Sequence, residues 1–151
     1  MEIEMGTRAV YTFNDGDDKF HVYKHWDGYP EGAALFFMKA IPYAWGGTRF
    51  EASEFAAAFI AGNKPKDGGD VYLTKGPNAH GDLEYVYELY QNTLGGLMIK
   101  VHHANWDDVK SRTVKTQMFK GSLISFVDKY GDSEAKQLAS DHWKLDQKQA
   151  A

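Results

Sequence analysis

Thr7-Arg8-Ala9-Val10-Tyr11-Thr12-Phe13, Asn14-Asp15-Gly16-Asp17-Asp18 and Lys19-Phe20-His21-Val22-Tyr23-Lys24-His25-Trp26 follow one another near the start of the chain. Two runs of aromatic and β-branched residues flank a cluster of turn-formers, which predicts a β-hairpin. Pairing Phe13 with Phe20 sets Tyr11 against Val22 and Ala9 against Lys24 on one side. On the other side Thr12 meets His21, Val10 meets Tyr23 and Arg8 meets His25; a slip of one residue reverses the faces.

Outward from the hairpin, Asp27-Gly28-Tyr29-Pro30 gives way to helical spacing, with Leu35, Phe36, Met38 and Ile41 on an apolar face that Pro42 ends. Asp27 or Gly28 is expected near the helix start, with Pro30 in the first turn. A second helix opens at Glu51 or Ser53, carries Phe55, Phe59 and Ile60, and is expected to close at Gly62-Asn63. Strands are predicted over Asp70–Lys75, Leu83–Gln91 and Leu97–His103, with a further one over Thr113–Lys120. Ser122 caps a short helix ended by Gly131, and Asp132 or Ser133 caps the last. The fold class is therefore α+β: an antiparallel or mixed β-sheet of five to six strands, in the order ββααβββ(β)αα, with helices packed on it. At 151 residues, one domain over 1–151 is expected, with 1–5 and 144–151 frayed.

No apolar run approaches the roughly 18–20 residues that cross a bilayer, and the start lacks the order of a secretory signal. The chain has no Cys, which excludes disulfides and thiolate metal sites and suits a reducing cytoplasm. Net charge is 17 − 21 = −4 without a basic block, so general nucleic-acid binding is disfavoured. Aromatics reach 15%, enough to build a binding surface as well as a core.

No nucleophile elbow, P-loop or dinucleotide fingerprint is present. No cofactor is expected. His21, His25, His102 and His103 with Asp27 or Asp107 would make a small metal-dependent or acid–base hydrolase only if the fold gathered them, and His21 and His25 alone stand too far apart, roughly 13 Å, to share a metal. The candidate ligand-binding residues are Arg8, His25, Trp26, Asp27 and Tyr29, converging on the open end of the hairpin where the first helix begins. Arg8 offers a forked donor, the helix start offers amides, and Trp26 and Tyr29 offer rings for a flat anionic ligand. The competing structural reading pairs Arg8 with Asp27 as a lock. Trp45 and Trp106, on loops, join the candidates. Asn14–Asp18 lacks calcium-loop order and reads as a solvated turn.

Met5-Gly6-Thr7-Arg8, a short hairpin, and an aromatic followed by Asp27-Gly28-Tyr29-Pro30 resemble a family of small, largely uncharacterised proteins encoded in bacteriophages, prophages and their hosts; the likeness covers roughly the first quarter of the chain. In that family Met-Gly-Thr-Arg usually begins the protein, which implies Met5 as the native start and, after its removal, a Gly6 amine near Arg8. The resemblance implies a phage or prophage accessory protein in the host cytoplasm that counteracts host processes or defence. Its expected partner is a host protein or an anionic small molecule such as a nucleotide signal. The exposed hairpins and aromatic loops also suit a homodimer.

Overall fold

The computed structural model describes residues 6–142. Six strands, β1 (Ala9–Asn14), β2 (Lys19–Lys24), β3 (Val71–Thr74), β4 (Tyr85–Gln91), β5 (Leu97–Asp107) and β6 (Arg112–Ser122), form one sheet in the order β3-β2-β1-β4-β5-β6. Helices α1 (Pro30–Ala40), α2 (Ala52–Asn63), α3 (Leu123–Tyr130) and α4 (Ser133–His142) complete the α+β fold, with short 3₁₀ turns at Ile41–Tyr43 and Pro77–Ala79. No helix among the described residues is long and apolar enough to cross a membrane. The proposed native start at Met5 and the frayed ends fall outside these residues, apart from the adjoining Gly6.

The first hairpin has the expected register, Phe13 opposite Phe20 and Tyr11 opposite Val22. Alternation then sends Ala9, Tyr11 and Phe13 into the main core, which α1, α2 and α3 cover from one side. Rings dominate that core: Tyr11 stacks on Tyr87 at 5.0 Å, and Phe37, Phe59 and Phe126 pack around the pair. β1 also pairs with β4, and this pair is parallel. All other ladders are antiparallel.

Local chemistry explains most element ends. Tyr29, not Asp27 or Gly28, is the N-cap of α1, and Pro30 fills the first position, where its missing N–H costs nothing. Asp27 takes φ of 58° instead, and a side chain on Gly28 would collide with Ala9 Cβ and the Thr7 carbonyl, so the missing side chain lets this turn pack directly against the start of β1. α2 closes at Gly62-Asn63 as expected, with Lys64 as its C-cap. A Cβ at Gly62 would strike the Lys39 carbonyl, so its smallness serves the α1–α2 crossing, and Asn63 Nδ2 donates to the Phe36 and Phe59 carbonyls. Ser122 caps α3 by accepting from the Ser125 N–H at 3.1 Å, and Asp132 Oδ1 accepts from the Ala135 N–H. β5 extends past His103 to Asp107, whose carboxylate accepts from the Val109 and Lys110 amides and turns the chain into β6.

Candidate functional site

The sheet face opposite the helices carries a row of polar side chains. The ladder registers place Thr74, His21, Thr12, Glu88, Lys100 and Lys120 side by side, one from each strand. Beside this row an apolar strip of Val10, Tyr23 and Val86 is sealed by Leu83 and Ala104. The β3–β4 connection supplies the seal: His80 stacks on Tyr23 at 4.2 Å, its Nε2 hydrogen-bonds Thr74 Oγ1 at 2.7 Å, and Asp82 pairs with Arg8 at 3.0 Å. Partial burial follows for the imidazoles, and desolvation lowers the pKa values of His21, His80 and His102. Lys115 lowers His102 further and Glu88 opposes the shift, so all three rings are neutral near pH 7.

Beside Glu88 and Lys100 of the row lies a pocket of about 270 Å³, lined also by Asn14, Asp15, Gly16, Phe50, Tyr90 and Gln91. It sits at the C-terminal ends of β1 and β4, the parallel pair. From those ends β1 turns into β2 and β4 into β5, each an antiparallel neighbour on the outer side of the parallel pair. Most of the lining is held by the fold. Asp15 Oδ2 accepts from the Ala52 N–H at the start of α2, and its other oxygen accepts from the Asp17 and Asp18 amides. Those bonds, led by Ala52, lower its pKa and keep it ionised. The turn read as solvated is thus also a brace for α2. Gln91 Nε2 donates to the carbonyls of Thr48 and Gly95.

Glu88 and Lys100 stand directly opposite each other across the β4–β5 ladder, yet they form no ion pair. Asn14 Nδ2 holds one Glu88 oxygen at 2.8 Å, while the Lys100 ammonium lies 5.1 Å from the Tyr90 ring centroid. Opposite charges at facing positions of a sheet ordinarily attract each other. Here each is drawn aside, and the space between them opens on the pocket.

The residues singled out in the sequence are divided between the two faces. Arg8 and His25 lie beside Tyr23, whose hydroxyl meets His25 Nδ1 at 3.0 Å, and Trp26 sits edge-on to His25 and donates to Asp70. Arg8 pairs with Asp82 rather than Asp27, because the β3–β4 connection brings a carboxylate over its end of the sheet. Asp27 and Tyr29 turn toward α1, where they line a second pocket of about 230 Å³ with Glu31 and Asp132. Tyr29 donates to Asp27 Oδ1 at 3.2 Å. Three carboxylates around the α1 N-terminus offset its dipole, and among the described residues no lysine or arginine lines that pocket to hold an anion. Trp45 stacks under Arg49 at 3.7 Å, and its N–H is held by Glu54. Trp106 lies not on a loop but within β5, because the strand runs on to Asp107, and it is half-exposed near Gly81.

The histidines do not gather into a hydrolytic centre. His103 packs edge-on against Tyr85, Asp107 caps its turn, and among the described residues no three His, Cys, Asp or Glu side chains are placed to hold a metal. Thr12 Oγ1 and His21 Nδ1 are 2.7 Å apart, a hydrogen bond within the polar row. Glu88, Tyr90 and Lys100 were not site candidates from sequence, although the alternation of Glu84, Val86, Glu88 and Tyr90 along β4 assigns them one face; what no local pattern reveals is that β1 brings Asn14 beside them.

Comparison of the chain with protein-family models, curated sequences and solved structures gave no match.

Proposed function

We propose that the protein is a non-enzymatic binding protein for an anionic small molecule of the nucleotide class, held in the pocket between Glu88 and Lys100. One observation carries this reading: a facing carboxylate and ammonium are kept apart by Asn14 and Tyr90 at the mouth of a polar pocket. The free Glu88 oxygen suits N–H donors on a base edge, Lys100 and the adjacent Lys120 suit a phosphate, and Tyr90 offers a ring face. A volume of about 270 Å³ lies just below the usual range for small-molecule pockets, roughly 300–1,000 Å³, so it matches a base or a sugar phosphate with the remainder lying along the polar row.

The likeness of Met5–Arg8 and Asp27–Pro30 to phage and prophage proteins supports a role in which sequestering such a molecule opposes a host process. The test is calorimetry with mono- and cyclic nucleotides, together with mass spectrometry of small molecules released from the purified protein on denaturation. A nucleotide is expected to bind, and Glu88→Gln and Lys100→Met are each expected to weaken it about tenfold or more. No heat across the panel and no released ligand would refute the reading, as would variants that bind like the parent.

A further inference from the structure

β6 is an edge strand with unusual properties. It is 11 residues long and pairs with β5 alone, against a usual strand length of about five to six. Natural sheets blunt such edges with short strands, bulges and lysines, because unpaired N–H and C=O groups recruit another strand. Two of these devices are present, and they define what the edge accepts.

The first is a register shift between Val101 and His102, where Met118 is the extra residue on β6. It divides the edge and leaves Arg112–Gln117 as an uninterrupted stretch on the hairpin side. The second is charge. From Val109 to Val127 the chain carries Lys110, Arg112, Lys115 and Lys120 and no acidic residue, although the whole chain is at −4. Arg112, Lys115, Thr116, Gln117 and Lys120 are exposed, and Met118 is 40% exposed.

Self-pairing of two β6 edges would set this basic stretch against itself, which is unfavourable. An acidic strand meets the opposite situation, with main-chain groups to pair and lysines to neutralise. We propose that the outer edge of β6 over Arg112–Gln117 docks an acidic extended segment of a partner protein, which joins the sheet as a further strand. Because Arg112 and Lys115 lie three residues apart and so on opposite faces of the sheet, the segment would carry a carboxylate on each face, one toward Arg112 and one toward Lys115, while its backbone completes the ladder. This surface is separate from the lining of the Glu88–Lys100 pocket, so either assignment stands or falls without the other.

The experiment uses the full chain and a fluorescent valine- and threonine-rich peptide with glutamates three positions apart, so that one lies on each face of the strand, followed by anisotropy and by amide hydrogen exchange. Binding is expected, with protection gained at Arg112–Gln117 and affinity about tenfold lower in the Arg112→Glu/Lys115→Glu double variant. The Arg112→Gln/Lys115→Gln variant removes charge without reversing it and is expected to give a smaller loss; circular dichroism checks that both remain folded. The proposal is overturned if the peptide does not bind, if it binds without protecting β6, or if the charge variants bind it unchanged. It is equally overturned if the same stretch instead binds an oligonucleotide with steep salt dependence, or if it mediates a dimer of the chain.

Discussion

Tyr11 and Tyr87 stack in the same core but differ at the hydroxyl. Tyr87 donates to the Gly28 carbonyl, a buried bond that ties β4 to the turn before α1, whereas the Tyr11 hydroxyl is buried without a partner among the described residues. Burial raises the pKa of both, so neither ionises in ordinary buffers. Tyr87→Phe is therefore expected to cost about 1–2 kcal/mol in urea unfolding, because it strands the Gly28 carbonyl. Tyr11→Phe removes a group that was desolvated for nothing and is expected to be neutral or stabilising by up to about 1 kcal/mol. Equal losses in the two variants would contradict this assignment. The histidines give a pH signature with a definite sign. Desolvation depresses His21, His80 and His102 below their unfolded value, so each favours the native state when neutral. That stability is fully present above the unfolded pKa of about 6.5 and is lost as pH falls through the lower folded values. The urea midpoint is expected to drop between neutral pH and the acid side of this window, and replacing the three histidines with glutamine is expected to flatten the drop.

At the scale of elements, α2 is fixed by two contacts with different sequence visibility. Gly62 sits against the Lys39 carbonyl of α1, and Gly62→Ala is expected to force the helices apart at a cost of about 1–3 kcal/mol. Asp15 reaches from the first hairpin turn to the Ala52 amide, and Asp15→Ala is expected to cost about 1–2 kcal/mol through loss of this cap. Thermal unfolding of both variants measures these effects. The hairpin itself, both of its faces, and the caps at Ser122 and Asp132 were readable from sequence because each depends on neighbours a few residues away. The Asp15 brace was not, since 37 residues separate its ends. The end of α2 at Gly62-Asn63 was legible, but the packing of Gly62 on α1 was not, because the Lys39 carbonyl it meets belongs to another helix. Arg8 was given the wrong acid for a similar reason: Asp27 is near in sequence, but Asp82 is the residue folded over it.

Across the whole molecule, the α+β class and the order of elements were legible because periodicity switches cleanly from two to 3.6 and back. The site was not. It depends on the parallel β1–β4 pairing, which places Thr12 opposite Glu88 and makes one polar row out of six strands scattered through the chain. The same long-range assembly separates two chemistries: an acidic pocket at the start of α1 and a mixed-charge pocket at the ends of β1 and β4. The second of these is the centre of the functional proposal, and amide NMR of isotope-labelled protein titrated with mono- and cyclic nucleotides tests it most directly. Saturable shifts are expected for at least one nucleotide, clustered at Asn14, Glu88, Tyr90 and Lys100 and abolished by Lys100→Met. Titrations that leave those four amides unmoved, or that move only residues around Asp27 and Tyr29, would contradict it.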